Sequence, residues 1–467
     1  AMRAQLRTLT RATRPQAAPR RGRAREEDED LPYVDLGGRW GRLREAMWSP
    51  IGARTPMHIA SSVDAGVLTP FVAADTELLK GPAQGVSPWD EMVIRMDPWD
   101  LYRADLVDSV GLCAWGTMGS GKTYALQTAA LRLIGYGRHV IVEEDPKGEW
   151  AALAEAVGGQ VLRAGPAAGT KMNPLAAPTA RATSSPGASG KMLAAHRGNI
   201  LRQIVSILRS GKAFTEDEEP CIDAVVDAIE TGQCRASIPG VVDYLDDPPG
   251  DLVRLVGAQA PGVLHLVLRR LISGPLAGMV DTETSTVLDP ASPMICIDTS
   301  MLLGADPVTK AIASACIGAW VDALLACQDG RFRIVLEEEA WAKLRNRYSA
   351  QAIDTRLRMT GLWRCSNWLI FHELNDIGQM ADDGAHRELV RGIISKSPIK
   401  LVYRQSPAAL ALFREFVQPT DDELATVASL SPHVGLWRLG EQMSVLVHSE
   451  TVPTSHVLFD NSAGRAG

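Results

Sequence analysis

Val110-Gly-Leu-Cys-Ala-Trp115, then Gly116-Thr-Met-Gly-Ser-Gly-Lys-Thr123, then Tyr124-Ala-Leu-Gln-Thr-Ala-Ala-Leu-Arg-Leu-Ile134 is the stretch on which the fold turns. An apolar run of strand length delivers a glycine-rich turn to a helical run. Such a turn lines up backbone N–H groups and the positive end of a helix dipole around a phosphate. The eight residues from Gly116 to Thr123 form a complete Walker A string. Gly116, Gly119 and Gly121 permit the tight turn and close backbone approach. Lys122 is expected to reach the β- and γ-phosphates as a mobile point charge, and the Thr123 hydroxyl to take one position on Mg²⁺. Thr117, Met118, Ser120 and Tyr124 complete the set expected to touch ATP. A chance match is the alternative in a chain with 41 glycines, and the strand-turn-helix setting argues against it.

Outward from this stretch, apolar runs of strand length alternate with helical segments: His139 to Val142, Met294 to Ile297, Arg333 to Leu336, Asn367 to Phe371 and Lys400 to Tyr403. That alternation predicts an α/β fold, a mostly parallel sheet covered on both faces. A loop over Ala176 to Gly190, rich in Ala, Ser, Thr, Pro and Gly, interrupts the rhythm. After it, Ala195 to Leu276 has helical periodicity, with a capping-box pattern from Thr215 to Glu218. Gly435 to Leu439 and Met443 to Val447 flank a Gly-Glu-Gln turn as a C-terminal β-hairpin. The predicted organisation is a disordered charged arm over 1–30, a small strand-rich lead-in domain over 31–106, an ATPase core from 107–177 and 290–467, and a linker with an all-helical insertion over 178–289.

The first 25 residues hold eight arginines and run into Glu26, Glu27, Asp28, Glu29 and Asp30. Such a segment reads either as an arm that touches nucleic acid or anionic lipid, or as a solvated linker. The net charge of −7 argues against a molecule that is basic all over and leaves room for a local basic surface. The 7 cysteines include no C-x-x-C and no zinc spacing, so they read as reduced, buried thiols, which suits the cytosol. Ala311 to Cys327, the most apolar long stretch, carries Asp322 and lies between strand-like runs. It is expected to be a buried core helix rather than a membrane span.

The second informative segment, Arg333-Ile-Val-Leu-Glu-Glu-Glu-Ala-Trp341, is a buried-strand pattern ending in carboxylates. A P-loop ATPase needs two acids there, one in the magnesium shell and one to orient or deprotonate water. In register, Glu338 is the expected magnesium-side acid and Glu339 the catalytic one. The alternative is a charged strand end on the surface.

The Glu-Glu-Ala-Trp at 338 to 341 resembles the Asp-Glu-Ala-Trp of conjugation and type IV secretion ATPases, the VirB-four/TraC-like branch of the HerA/FtsK superfamily of P-loop ATPases. Other pieces fall in the same order. Glu144-Asp-Pro-Lys-Gly-Glu-Trp150 resembles the D-x-K-G-E turn after the second strand, and Met172-Asn-Pro-Leu175 the signature that precedes the helical insertion. Phe371-His-Glu-Leu-Asn-Asp376 occupies the place of a T-Q-x-x-x-D sensor, and Val402-Tyr-Arg-Gln405 and Leu458-Phe-Asp460 resemble the actinobacterial variant. The resemblance covers about Pro70 to Asp460 and implies a RecA-like P-loop core.

The departures are as specific. The magnesium-side acid is Glu338, not Asp. His372 stands where the family has a sensor Gln, and reads either as a hydrogen-bond donor toward phosphate or as a core histidine. The resemblance implies an arginine presented to a neighbouring subunit's nucleotide from the region of Arg356, Arg358 and Arg364. Arg358 is the first choice, against a plain surface arginine. Arg404, at the end of the last core strand, is placed toward the phosphates of its own subunit. The implied protein is a Mg-ATP motor for secretion or conjugation, hexameric when active, held at the cytoplasmic face of the membrane by other channel components, with DNA, protein or pilin as cargo. The alternatives are a DNA-pumping coupling ATPase and a nucleotide-binding scaffold with little turnover.

Overall fold

The computed structural model describes residues 79–165, 170–176, 186–280, 284, 287–371, 384–441 and 443–449. The charged arm, residues 31–78 of the lead-in, His372, Asp376 and Leu458 to Asp460 lie outside them. The strands are β1 (Ala83–Val86), β2 (Val93–Arg95), β3 (Leu112–Trp115), β4 (His139–Asp145), β5 (Gln160–Arg163), β6 (Met294–Asp298), β7 (Arg333–Glu337), β8 (Cys365–Phe371), β9 (Ile399–Val402), β10 (Val434–Leu439) and β11 (Met443–His448). They form an 11-stranded sheet in the order β2-β1-β11-β10-β9-β3-β8-β7-β4-β6-β5.

From β5 to β9 every neighbouring pair is parallel. From β9 outward through β10, β11, β1 and β2 the pairs are antiparallel. The central strands are buried from end to end, as in Leu-Cys-Ala-Trp of β3 and Cys-Ser-Asn-Trp-Leu-Ile-Phe of β8. Alternate residues point to opposite faces. Leu112, Ala114, Val140, Val142, Ile334 and Leu336 pack with the helix Lys122–Gly135. On the reverse face, Ile141, Ile295, Ile297 and Val335 meet the helix Pro307–Leu325 and the insertion, while Cys113, Trp115, Leu369 and Phe371 meet Arg347–Arg358 and Gly384–Ser395.

Helices Pro186–Leu208, Glu218–Glu230, Ile238–Asp246, Gly250–Val256 and Gln259–Ser273 make up the insertion. Met172 to Leu175 latch it to the core. Met172 N donates to Met279 O at 2.7 Å, Asn173 Nδ2 to Ala236 O at 2.7 Å, and Arg197 Nε to Leu175 O at 2.9 Å. Helix Pro307–Leu325 is capped by Asp306 and is long and apolar enough to cross a membrane, yet Ile312, Ala313, Cys316 and Ile317 are buried in the core. All 7 cysteines are buried free thiols.

The structure departs from the sequence reading at several places. The helix that opens the insertion begins at Pro186, inside the stretch read as loop up to Gly190; proline is well suited to a first helical turn. β5, with its weak apolar alternation, went unread. Glu218 accepts from Thr215 N at 2.8 Å, which is half of the expected box, because the helix caps on Asp217. The described part of the 31–106 lead-in is not a separate domain. β1 pairs with β11, and Leu79, Ile94, Met96, Trp99 and Leu101 belong to the core on the Lys122–Gly135 face. Asp97 fastens it further, capping Pro98–Arg103 and holding Arg138 through two hydrogen bonds of 2.6 and 2.9 Å.

Candidate nucleotide site

The strands β3, β8 and β7 lie side by side, so their C-terminal ends open on one crevice, the place where open α/β sheets hold ligands. From β3 comes the glycine-rich loop. A Cβ at Gly116 would meet Ser120 Oγ at 2.6 Å and Tyr403 Cβ at 2.8 Å. Gly121 has φ of +90° and caps Lys122–Gly135; a Cβ there would strike His433 Nδ1 at 2.7 Å. Gly119 has φ of +78° with open space where its side chain would be. Met118 is exposed, and Ser120 Oγ is buried with no hydrogen-bond partner among the described residues. A backbone cradle with an orphaned hydroxyl fits a phosphate group.

Lys122 is 4% exposed, and its Nζ donates to Phe371 O, the last carbonyl of β8, at 2.5 Å. The strand between β3 and β7 therefore supplies the resting place of the lysine. Thr123 is half-buried at the start of the helix. Thr117 N donates to Arg404 O at 3.1 Å, so the loop after β9 backs the cradle, with the Arg404 side chain exposed. Tyr124 meets His433 edge to face, centroids 5.3 Å apart, and His433 N donates to Ser120 O. His433, in a left-handed conformation before β10, is a site residue that the sequence did not announce. No motif surrounds it.

From β7 come the acids. Glu338 points to the P-loop side, 9% exposed, and accepts from Trp150 Nε1 at 3.1 Å. Burial pushes its carboxyl above the ordinary range, against the pull of Lys122 and of the Trp150 hydrogen bond. A divalent cation would favour the ionised form. Glu339 sits in the left-handed region, φ 55° and ψ 36°, where the chain turns into Ala340–Leu344. Strain of this kind in a non-glycine residue costs about 1–3 kcal/mol and is typical of functional sites. Its carboxylate accepts from Trp341 Nε1 at 2.5 Å and lies 3.7 Å from Lys147 Nζ.

The turn after β4 closes the crevice. Asp145 accepts from Glu149 N and Trp150 N at 2.9 and 2.8 Å, and Gln127 Nε2 donates to Glu149 O at 2.8 Å. The turn thus joins the P-loop helix to both acids of β7.

On the reverse face, directly behind those acids, lies a buried ionic cluster. Lys343 pairs with Glu143, with Glu144 at 3.0 Å and with Glu337 at 3.5 Å. Arg356 bonds Glu143 at 2.6 Å, Asp322 at 2.7 Å and Glu337 at 2.9 Å. Burial alone would raise Glu143, but Arg356 and Lys343 hold it at about 2. Burial keeps Asp322 and Glu337 above the ordinary carboxylate range. A cavity of about 690 Å³ borders this cluster, lined by Glu143, His196, Asp322, Lys343 and Arg356 and by no residue of the P-loop.

Of the three arginines considered, Arg356 is consumed by this cluster. Arg364 precedes β8, at the end of the sheet away from the crevice, where it donates to Gly330 O at 2.8 Å. Arg358 ends the helix that runs back toward the start of β8; it is exposed and bonds Asp354 at 2.8 Å. The structure does not bring it to the crevice of its own chain.

The cradle, the lysine over the sheet end and the paired acids on the next strand but one define a RecA-like P-loop NTPase core. Among solved structures the fold is shared with VirB4 of Thermoanaerobacter pseudethanolicus, with a TM-score of 0.66 and 18% identity over 80% of this chain and 97% of that one. It is shared also with the plasmid coupling protein TrwB, solved with the GTP analogue GDPNP (TM-score 0.53, 12% identity, 80% and 91% covered) and with ADP and Mg²⁺ (TM-score 0.52, 12% identity, 80% and 90% covered). No protein-family model matches the chain, and no curated protein matches it by sequence.

Proposed function

We propose that this chain is a Mg²⁺-dependent ATPase motor that energises a type IV secretion or conjugation apparatus, working as a hexamer at the cytoplasmic face of the membrane with other channel components. The observation that carries the reading is the meeting of a phosphate cradle with Glu338 and Glu339 across one intervening strand, on a fold shared with VirB4. Lys122 leaves Phe371 O for the phosphates and offsets their charge. Thr123 and Glu338 would hold Mg²⁺, which when bound would supply positive charge to the phosphate oxygens. Glu339 orients the attacking water and accepts its proton. Hydrolysis changes the fit between neighbouring subunits and so moves cargo, DNA or protein.

The test is Mg²⁺-dependent ATP hydrolysis, with calorimetric titration of ATP beside it, for the wild type and Lys122→Ala. Loss of one charge-assisted phosphate contact is worth roughly tenfold to a hundredfold in nucleotide affinity. Equal affinity in a folded Lys122→Ala protein would remove the assignment. The likeness to the plasmid coupling protein TrwB favours a second reading, a DNA-pumping coupling ATPase. Under it, DNA binding is steeply salt-dependent and stimulates turnover.

A further inference from the structure

The turn Asp145-Pro-Lys-Gly-Glu-Trp150 carries one side chain that the proposed chemistry leaves unused. Lys147 is the residue that the turn holds forward. Behind it the backbone turns at Gly148, with φ of +69°, and is held by the Asp145 carboxylate on Glu149 N and Trp150 N and by Gln127 on Glu149 O. The same turn grips Glu338 through Trp150. Lys147 itself, its side chain 42% exposed, directs Nζ to Glu339 Oε1 at 3.7 Å, while Trp341 holds Oε2.

That pairing is chemically awkward for the proposed base. A carboxylate engaged on both oxygens is poorly placed to take a proton from water. The terminal phosphate of ATP brings a second negative charge to the same crevice, and two like charges close together repel unless a cation lies between them. An ammonium on a flexible four-carbon stem, rooted in a rigid turn, can serve both anions in succession.

We propose that Lys147 reads the terminal phosphate: it pairs with Glu339 when that phosphate is absent, and moves onto it in the ATP state, releasing Glu339 Oε1 for water. This rests on nucleotide binding at the P-loop. ADP lacks the group that Lys147 recognises, so the residue separates ATP from ADP rather than contributing to nucleotide affinity in general.

Calorimetric titration of the wild type, Lys147→Met and Lys147→Arg with Mg·ADP and with a non-hydrolysable Mg·ATP analogue tests it. Lys147→Met should bind ADP like the wild type and the analogue roughly tenfold to a hundredfold more weakly. Lys147→Arg should recover most of that difference, and turnover of Lys147→Met at saturating ATP should fall as well. A wild-type ratio of analogue to ADP affinity in Lys147→Met overturns the assignment. So does an equal loss of both affinities, which would mark a purely structural lysine. A wild type that binds neither nucleotide overturns the P-loop reading and this one with it, and is distinguishable because Lys147 is then intact.

Discussion

Glu338 and Glu339 are adjacent in sequence and each accepts from an indole, but they differ in burial and in backbone conformation. Glu338 is buried, follows the last residue of β7 directly and is held by the Trp150 indole from the turn after β4. Glu339 is half-exposed and begins a helix from a left-handed backbone. Their roles should therefore separate on mutation. Glu339→Gln keeps the shape and gives up the base, so it should retain Mg·ATP while turnover drops about 10²- to 10⁴-fold. Glu338→Gln should instead weaken Mg²⁺ dependence and nucleotide affinity. Calorimetry beside steady-state kinetics checks both; parental turnover in Glu339→Gln would make Glu338 the base. What the sequence made legible is the place of these acids, since the apolar run of β7 ends at Glu337 and the two carboxylates follow it. His433 was not legible, since a lone exposed histidine before a strand carries no pattern, and only the close approach to Gly121 reveals it.

At the scale of elements, the ionic cluster joins β4, β7, Pro307–Leu325, Ala340–Leu344 and Arg347–Arg358. Removing one partner of a buried pair strands the other charges, a loss of about 3–5 kcal/mol. Glu143→Gln should cost stability on that scale at neutral pH, measured by denaturant unfolding. The acid behaviour follows from sign. The Glu143 pKa lies below its ordinary 4.5, at about 2, so its contribution is present above about 4.5 and lost as pH falls toward 2. The difference between wild type and Glu143→Gln should shrink over that window. Sequence reading located the strands β3, β4, β6, β7, β8 and β9, since buried parallel strands are continuous apolar runs. It missed this cluster because Glu143, Glu144 and Glu337 look like charged strand ends, and Lys343 and Arg356 like surface residues of helices. Only tertiary packing encloses them. β1 and β2 were missed as parts of the main sheet because antiparallel edge pairing has no long apolar signature.

For the whole molecule, the described part of the lead-in, from Leu79 on, and the core share one hydrophobic interior. A chain starting at residue 77 keeps every residue of that interior and should fold and bind nucleotide. One starting at 107 loses β1, β2, Trp99 and the Asp97–Arg138 pair, and should aggregate or melt far lower; circular dichroism and nucleotide titration compare them. Assembly makes a separate prediction. If Arg358 completes a neighbour's site, its removal costs roughly 10³- to 10⁵-fold in turnover, as in known arginine-finger enzymes. Mixing inactive Arg358→Ala with inactive Glu339→Gln should then restore some activity. No rescue in mixed oligomers that are shown to form would exclude Arg358 from a shared site.

The central strand β3 has an order-of-synthesis consequence. Both of its partners, β8 at Cys365–Phe371 and β9 at Ile399–Val402, are encoded more than 240 residues downstream of the Walker A string, as the Lys122 to Phe371 contact at a separation of 249 shows. A ribosome has made the whole glycine-rich loop long before the strands that flatten and brace it exist. Non-local pairings of this kind close late. The nascent chain therefore carries its phosphate-binding letters without a braced phosphate site, and should complete that site only once residues 365–402 have emerged.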